Sequence, residues 1–146
     1  MKMFHIGDVL SVTTGRLVSA RHIDGVYDIL NFLTGDNLYT HQLPRAMEEC
    51  KPWLRSMFPA LMEDSEGMPE HLAEMDRRIK TVQQDREHVG AVIRDWVEEL
   101  RVARGLPEML AVYELGADMH TYIDPVEEAR AMMGDGRVVV IKLAKE

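Results

Sequence analysis

The residues best suited to chemistry lie in one short stretch, Thr34 to Ala46, which reads Thr-Gly-Asp-Asn-Leu-Tyr-Thr-His-Gln-Leu-Pro-Arg-Ala. His41 and Arg45 are four positions apart, so on a helix they share a face, and Gln42 stands beside them. Thr40 can cap that helix and Pro44 is tolerated in its first turn, because the early amides have no intrahelical acceptor. Free amides and the helix dipole favour an anion there. An imidazole, a carboxamide and a guanidinium together suit a phosphate or a carboxylate. Arg16 follows one Thr-Gly pair, Thr14-Gly15, and Asp36 follows another, Thr34-Gly35. Both join the constellation if the two units stack. The competing reading is structural: His41 caps its own helix and Arg45 pairs with Glu48 or Glu49.

Other candidates carry less. Asp118, His120 and Asp124 cluster in one loop, and histidine with carboxylates can bind a metal. Their spacing matches no strong motif, and Asp124 already serves as a helix cap. Cys50 sits on an apolar stripe, which fits a buried thiol better than a nucleophile. His71 and His88 fall on a helix surface. The chain has no His-Glu-x-x-His, no Walker loop, no Gly-x-Gly-x-x-Gly and no Gly-x-Ser-x-Gly. No cofactor and no metal is expected.

Charge narrows the partners. The chain of 146 residues carries a formal net charge of -8, with 25 acidic against 17 basic residues. Nucleic-acid binders concentrate basic residues to displace phosphate counterions, and no such run exists here. Direct nucleic-acid binding and an anionic membrane surface are disfavoured, whereas basic proteins are natural partners for an acidic surface. Hydrophobic residues make up 46% and charged residues 29%, the composition of an ordinary globular chain. A lone cysteine excludes an intrachain disulfide. Met1 to Ile6 is too short and polar for a signal peptide, and no apolar run reaches membrane-spanning length. The cytoplasm is the expected location.

The elements that must position these residues follow from periodicity. Ile6, Val9, Leu10 and Thr13 form one helical face that Gly15 ends, with a strand as the alternative. Ile23, Val26, Tyr27, Leu30 and Leu33 form a second helix, closed by Gly35. The two segments share Asp-x-Leu and Thr-Gly at the same offset, a tandem helix-Thr-Gly unit. Leu43, Met47, Cys50, Leu54 and Met57 make a third stripe, in which Pro52 predicts a kink or a break into two short helices. An acidic linker spans 63–67.

The longest pattern covers 68–105. Leu72, Met75, Ile79, Val82, Val89, Ile93 and Trp96 recur near the coiled-coil spacing. A single helix there would be about 50 Å long, against a diameter of about 40 Å for a compact chain of this size. Its stripe would need a second copy, so these seven residues are the expected homodimer interface. A break near Gln83 to Gly90, giving a hairpin, is the alternative. Beyond it, Met109 to Leu115 reads as a strand, Asp124-Pro-Val-Glu127 as a helix start, and Arg137 to Leu143 as a strand. The fold class is α+β, mostly α, in a single domain: a helical part (1–62), the linker, the long helix or hairpin, and a strand-helix-strand tail (106–146).

The runs Ile6-Gly-Asp-Val-Leu-Ser-Val-Thr-Thr-Gly-Arg-Leu17 and Gly25-Val-Tyr-Asp-Ile-Leu-Asn-Phe-Leu-Thr-Gly-Asp-Asn-Leu-Tyr-Thr-His-Gln-Leu-Pro-Arg45 resemble a family of small uncharacterised phage and prophage proteins. The resemblance is densest over 6–60. It implies a mobile-element setting and no particular activity. The expected function is an accessory protein that binds a host or phage protein, such as a host defence or nucleic-acid-handling complex. The other reading is a small anion- or nucleotide-binding protein, or a small enzyme, centred on His41 and Arg45.

Overall fold

The helix Ile6–Thr14 (α1) is covered on every side, with Ile6 through Thr13 all buried. A helix so enclosed belongs at the centre of a core. Ile6, Val9 and Leu10 have no exposed surface, and each such burial contributes about 1.5–3 kcal/mol. This computed structural model describes residues 1–61, 69–116 and 118–133.

Around α1 lie the helices Ile23–Thr34 (α2) and Leu43–Met57 (α3), which also pack on each other. The core adds Ile29, Leu30 and Leu33 from α2, and Ala46, Cys50 and Leu54 from α3. A single 3-10 turn, Thr40–Gln42, leads into α3. The expected break at Pro52 does not occur: α3 runs through it without interruption. Pro52 is exposed, while Cys50 and Leu54 on either side of it face the core. Packing of that stripe outweighs the lost amide donor.

The tandem Thr-Gly termini share one geometry. Thr14 Oγ1 donates to the Leu10 carbonyl (2.6 Å) and accepts from the Arg16 amide (3.1 Å). Thr34 Oγ1 does the same with Leu30 (2.8 Å) and Asp36 (3.2 Å). Gly15 and Gly35 take the left-handed conformation, at φ 74° and 70°, which glycine adopts without penalty.

The single long helix is corrected to a pair. Pro69–Lys80 (α4) and Arg86–Ala103 (α5) are separated by a turn and pack together as a hairpin. Asp85 caps α5, accepting from the amides of Glu87 (3.0 Å) and His88 (3.4 Å). Folding back gives the stripe a partner within the chain. Met75 and Trp96 are buried, and Leu72, Ile79 and Ile93 pack against the core. Val82 and Val89, beside the turn, are half-buried. These residues are therefore used inside one molecule, and the physical reason for expecting a second subunit at this stripe is gone. The Trp96 indole donates to the His71 carbonyl (2.9 Å).

The sheet has a strand at the N-terminal end of the chain. Met109–Val112 (β2) pairs antiparallel with an N-terminal strand, Lys2–His5 (β1), that the sequence pattern did not single out. Phe4 faces Leu110 and both are buried. The expected C-terminal strand, Arg137 to Leu143, and the linker at 63–67 lie outside the described residues. The helix Pro125–Met133 (α6) forms where Asp124 and Pro125 predict it, with Asp124 Oδ1 accepting from the amides of Val126 (2.8 Å) and Glu127 (3.3 Å). Among the described residues, no helix is long and apolar enough to cross a membrane.

Candidate functional site

The arm formed by residues 113–133, Ala117 aside, lies across the ends of α2 and α3, and the Thr34 to Ala46 stretch holds it there. The Leu115 amide donates to the Leu33 carbonyl (3.0 Å) and the Tyr122 hydroxyl to the Thr34 carbonyl (2.7 Å). The Trp53 indole donates to the Tyr113 carbonyl (2.8 Å). These contacts bring the arm over the residues that sequence reasoning favoured.

Arg45 sits in the first turns of α3 and meets a carboxylate as expected, but the carboxylate is the chain's own. Its Nε and Nη2 donate to the two oxygens of Glu128 on α6, at 2.8 and 2.9 Å. Such a paired fork is the strongest geometry a guanidinium can make. Nη1 donates to Glu49 (3.1 Å), one turn along α3, and to the Thr121 carbonyl (2.8 Å). The Glu128 hydrogen bonds raise the Arg45 pKa. Arg45, with help from Gln42, holds the Glu128 carboxyl below its ordinary value against the opposing effect of burial.

Gln42 is buried, and its amide group is fully used. Nε2 donates to the Ile123 carbonyl (3.1 Å) and to Glu128 Oε1 (2.9 Å), while Oε1 accepts from the Tyr39 amide (3.1 Å). His41 Nε2 lies 2.8 Å from the Pro125 carbonyl. Asp36 reaches His120: its Oδ2 is 2.9 Å from Nε2, and its Oδ1 accepts from the Asn37 amide (2.7 Å). The other ring nitrogen of His120 is 2.5 Å from Glu49 Oε1. Tyr122 stands against the same ring in a T-shaped contact, with centroids 4.7 Å apart. Asp36, His41, Gln42 and Arg45 are thus brought together, in a clasp on the arm. Arg16 is not among them; it pairs with Asp76 on α4 (2.6 Å).

Glu49, His120 and Glu128 complete the clasp. His120 and Glu128 stand more than eighty residues from Asp36 and Gln42, so no local spacing announces them, whereas Glu49, one turn along α3 from Arg45, is the partner that the spacing offered. The sequence grouping of His120 with Asp118 and Asp124 is replaced: Asp118 is exposed, Asp124 caps α6, and His120 turns inward. Among the described residues, no group of three His, Cys, Asp or Glu side chains is arranged to hold a metal. The Cys50 thiol is buried, and burial, aided by Glu49, pushes its pKa up to about 12. It stays a protonated, unreactive thiol.

A second polar cluster lies on the opposite edge of α2. Asp8 is buried in α1 and accepts from Ser19 Oγ (2.5 Å) and Arg21 Nη2 (2.6 Å). Arg21 also reaches Asp28 (3.0 Å), which meets Lys2 (3.1 Å). His22, which leads into α2, has a positive φ of 56° with ψ −136°, a strained state for a residue with a Cβ. Its charges are matched internally, and it ties β1, α1 and α2 together.

Residues 4–64 match the family model of a domain of unknown function (DUF7736). No curated protein and no solved structure matches the chain. The matched residues contain α1, α2 and α3, and with them one side of the clasp: Asp36, His41, Gln42, Arg45 and Glu49. The arm that supplies His120 and Glu128 lies outside the match.

Proposed function

We propose that the protein is a non-enzymatic interaction protein, of the accessory kind carried by phages and prophages, and that its arm is the surface offered to a basic partner protein in the host cytoplasm. The observation that carries this reading is the make-up of the arm. Its exposed large side chains include Tyr113 (56% exposed), Tyr122 (62%) and Met132 (59%), with Met119 and Val126 beside them in sequence. Its charged groups are Glu114, Asp118, Asp124, Glu127 and Glu128 against Arg130. Aromatic and methionine side chains are the usual anchors of protein interfaces, and an acidic rim steers a basic partner. A host complex that handles nucleic acid, or one that defends against it, presents such a basic surface.

The residues that could serve a small ligand support the same reading by their engagement. An outside anion at Arg45 and Gln42 would have to displace Glu128 from a paired fork. The clasp residues position the arm, and the arm makes the contact.

Capture from host lysate tests the proposal, using the wild-type chain and a variant carrying Tyr113→Ala, Glu114→Lys and Asp118→Lys. These side chains are exposed, so the fold is expected to survive. The expected result is a captured basic protein whose retention falls with added salt and is lost in the variant. Equal retention by both chains would remove the arm as the contact surface.

A further inference from the structure

We propose that the face of the core beneath the arm is a peptide-binding groove, and that the arm occupies it in cis, in the place of an extended acidic segment from another protein. The inference concerns the surface under the arm and stands whether or not a partner binds the arm's outer side.

Much of what the core holds in the arm is backbone. The carbonyls of Thr121, Ile123 and Pro125 accept in turn from Arg45 Nη1 (2.8 Å), Gln42 Nε2 (3.1 Å) and His41 Nε2 (2.8 Å). A carbonyl only accepts, so the His41 nitrogen is the donor. Every second carbonyl is taken. An extended chain repeats its orientation every two residues, and residues 121–124 belong to no helix or turn. The Thr121 amide is held as well, by Glu49 Oε2 (3.2 Å). The side chains of Thr121 and Asp124 are exposed, so these positions are held through their main chain.

Main-chain readout of this kind is how proteins take up extended peptides: it supplies affinity at any sequence, and pockets for a few side chains supply selectivity. Two pockets are filled here. His120 enters between Asp36 and Glu49, and Glu128 meets the Arg45 fork and Gln42. The second pocket sets the chemical class, because a guanidinium fork selects a carboxylate. Among the described residues of the arm only His120, Glu128 and Ala129 are buried. Polar contacts therefore hold the arm, and an outside segment that makes the same contacts can compete. Every reading group falls between Leu33 and Trp53, inside the residues that the family model matches, whereas the arm lies beyond them. Groove and occupant belong to separate parts of the chain.

The tether decides which occupant wins. The arm follows β2, which is paired with β1, so it is presented to the groove at an effective concentration of about millimolar. A free peptide is held off the wild-type chain and gains access when the cis contacts weaken. The probe is a labelled peptide of residues 118–133 with blocked ends, titrated against the full chain by fluorescence anisotropy. A chain carrying His120→Ala and Glu128→Ala keeps the groove and loses both side-chain anchors of its own arm. The peptide should bind that variant at least about tenfold more tightly than the wild type. Adding Arg45→Ala to the variant should abolish the gain, and so should Glu128→Ala in the peptide. Amide protection of α1 and α2 reports a folded core; where the double variant does not fold, Glu128→Gln takes its place with the same expected order. A peptide that binds wild type and variant alike, that is indifferent to Arg45→Ala, or that binds neither chain at about millimolar concentration would overturn the proposal. So would a wild-type dimer that the peptide dissociates, which would give the groove to a second copy.

Discussion

A methyl group at Gly25 would land 2.2 Å from Ser19 Oγ and 2.4 Å from Asp8 Oδ1. The absence of a side chain lets α2 lie against the buried Asp8–Ser19 pair. Gly25→Ala must push Ser19 away and leave Asp8 short of a donor, so it should lower stability by about 2 kcal/mol or more, measured by denaturant unfolding. A neutral effect would mean that Ser19 rotates freely, contrary to its tie to Asp8. Glu128 carries a prediction of the opposite kind, about pH. Arg45 holds its carboxyl below the ordinary value, so the stabilisation is present above ordinary carboxylate pH and is lost as pH falls through the folded value. Thermal stability should therefore decline below about pH 4, and Glu128→Gln should flatten part of that decline. An unchanged acid slope in the variant would contradict the assignment.

At the scale of elements, the difference between pattern and structure lies in what local spacing can carry. The periods of α2 and α3 are visible because their buried faces are continuous, and Asp124-Pro125 marks α6 because a cap is a local device. The α4–α5 turn is masked because Val82 and Val89 keep the spacing going across it. The polar run Gln83 to His88 and the cap Asp85 are the signals that outweigh it, and hairpin closure settles the choice by burying Met75 against the core. The strand β1 has no local signature, since its partner β2 is a hundred residues away. The clasp was readable on one side only. Asp36, His41, Gln42 and Arg45 sit in one stretch, whereas His120 and Glu128 arrive through tertiary packing. Pro52 gives a direct test of α3 as a continuous helix. It is exposed and interior, so Pro52→Ala restores a backbone donor and should stabilise the protein by about 1–3 kcal/mol. Destabilisation would show that the rigidity Pro52 gives the chain outweighs the regained donor.

At the scale of the whole molecule, the chain divides its labour between a well-packed helical core and an acidic, aromatic arm fastened to it by polar contacts. The hairpin closes the stripe that otherwise calls for a second copy, so sedimentation should find a monomer; a stable dimer would point to another surface, the arm included. Whether Arg45 serves the arm rather than an outside anion is read from a double-mutant cycle of Arg45→Ala and Glu128→Ala on unfolding free energy. A partly buried, paired fork predicts a coupling of about 1–3 kcal/mol between the two changes. Additive losses, with coupling within about 0.3 kcal/mol, would contradict it and return Arg45 to the role of a ligand-binding residue.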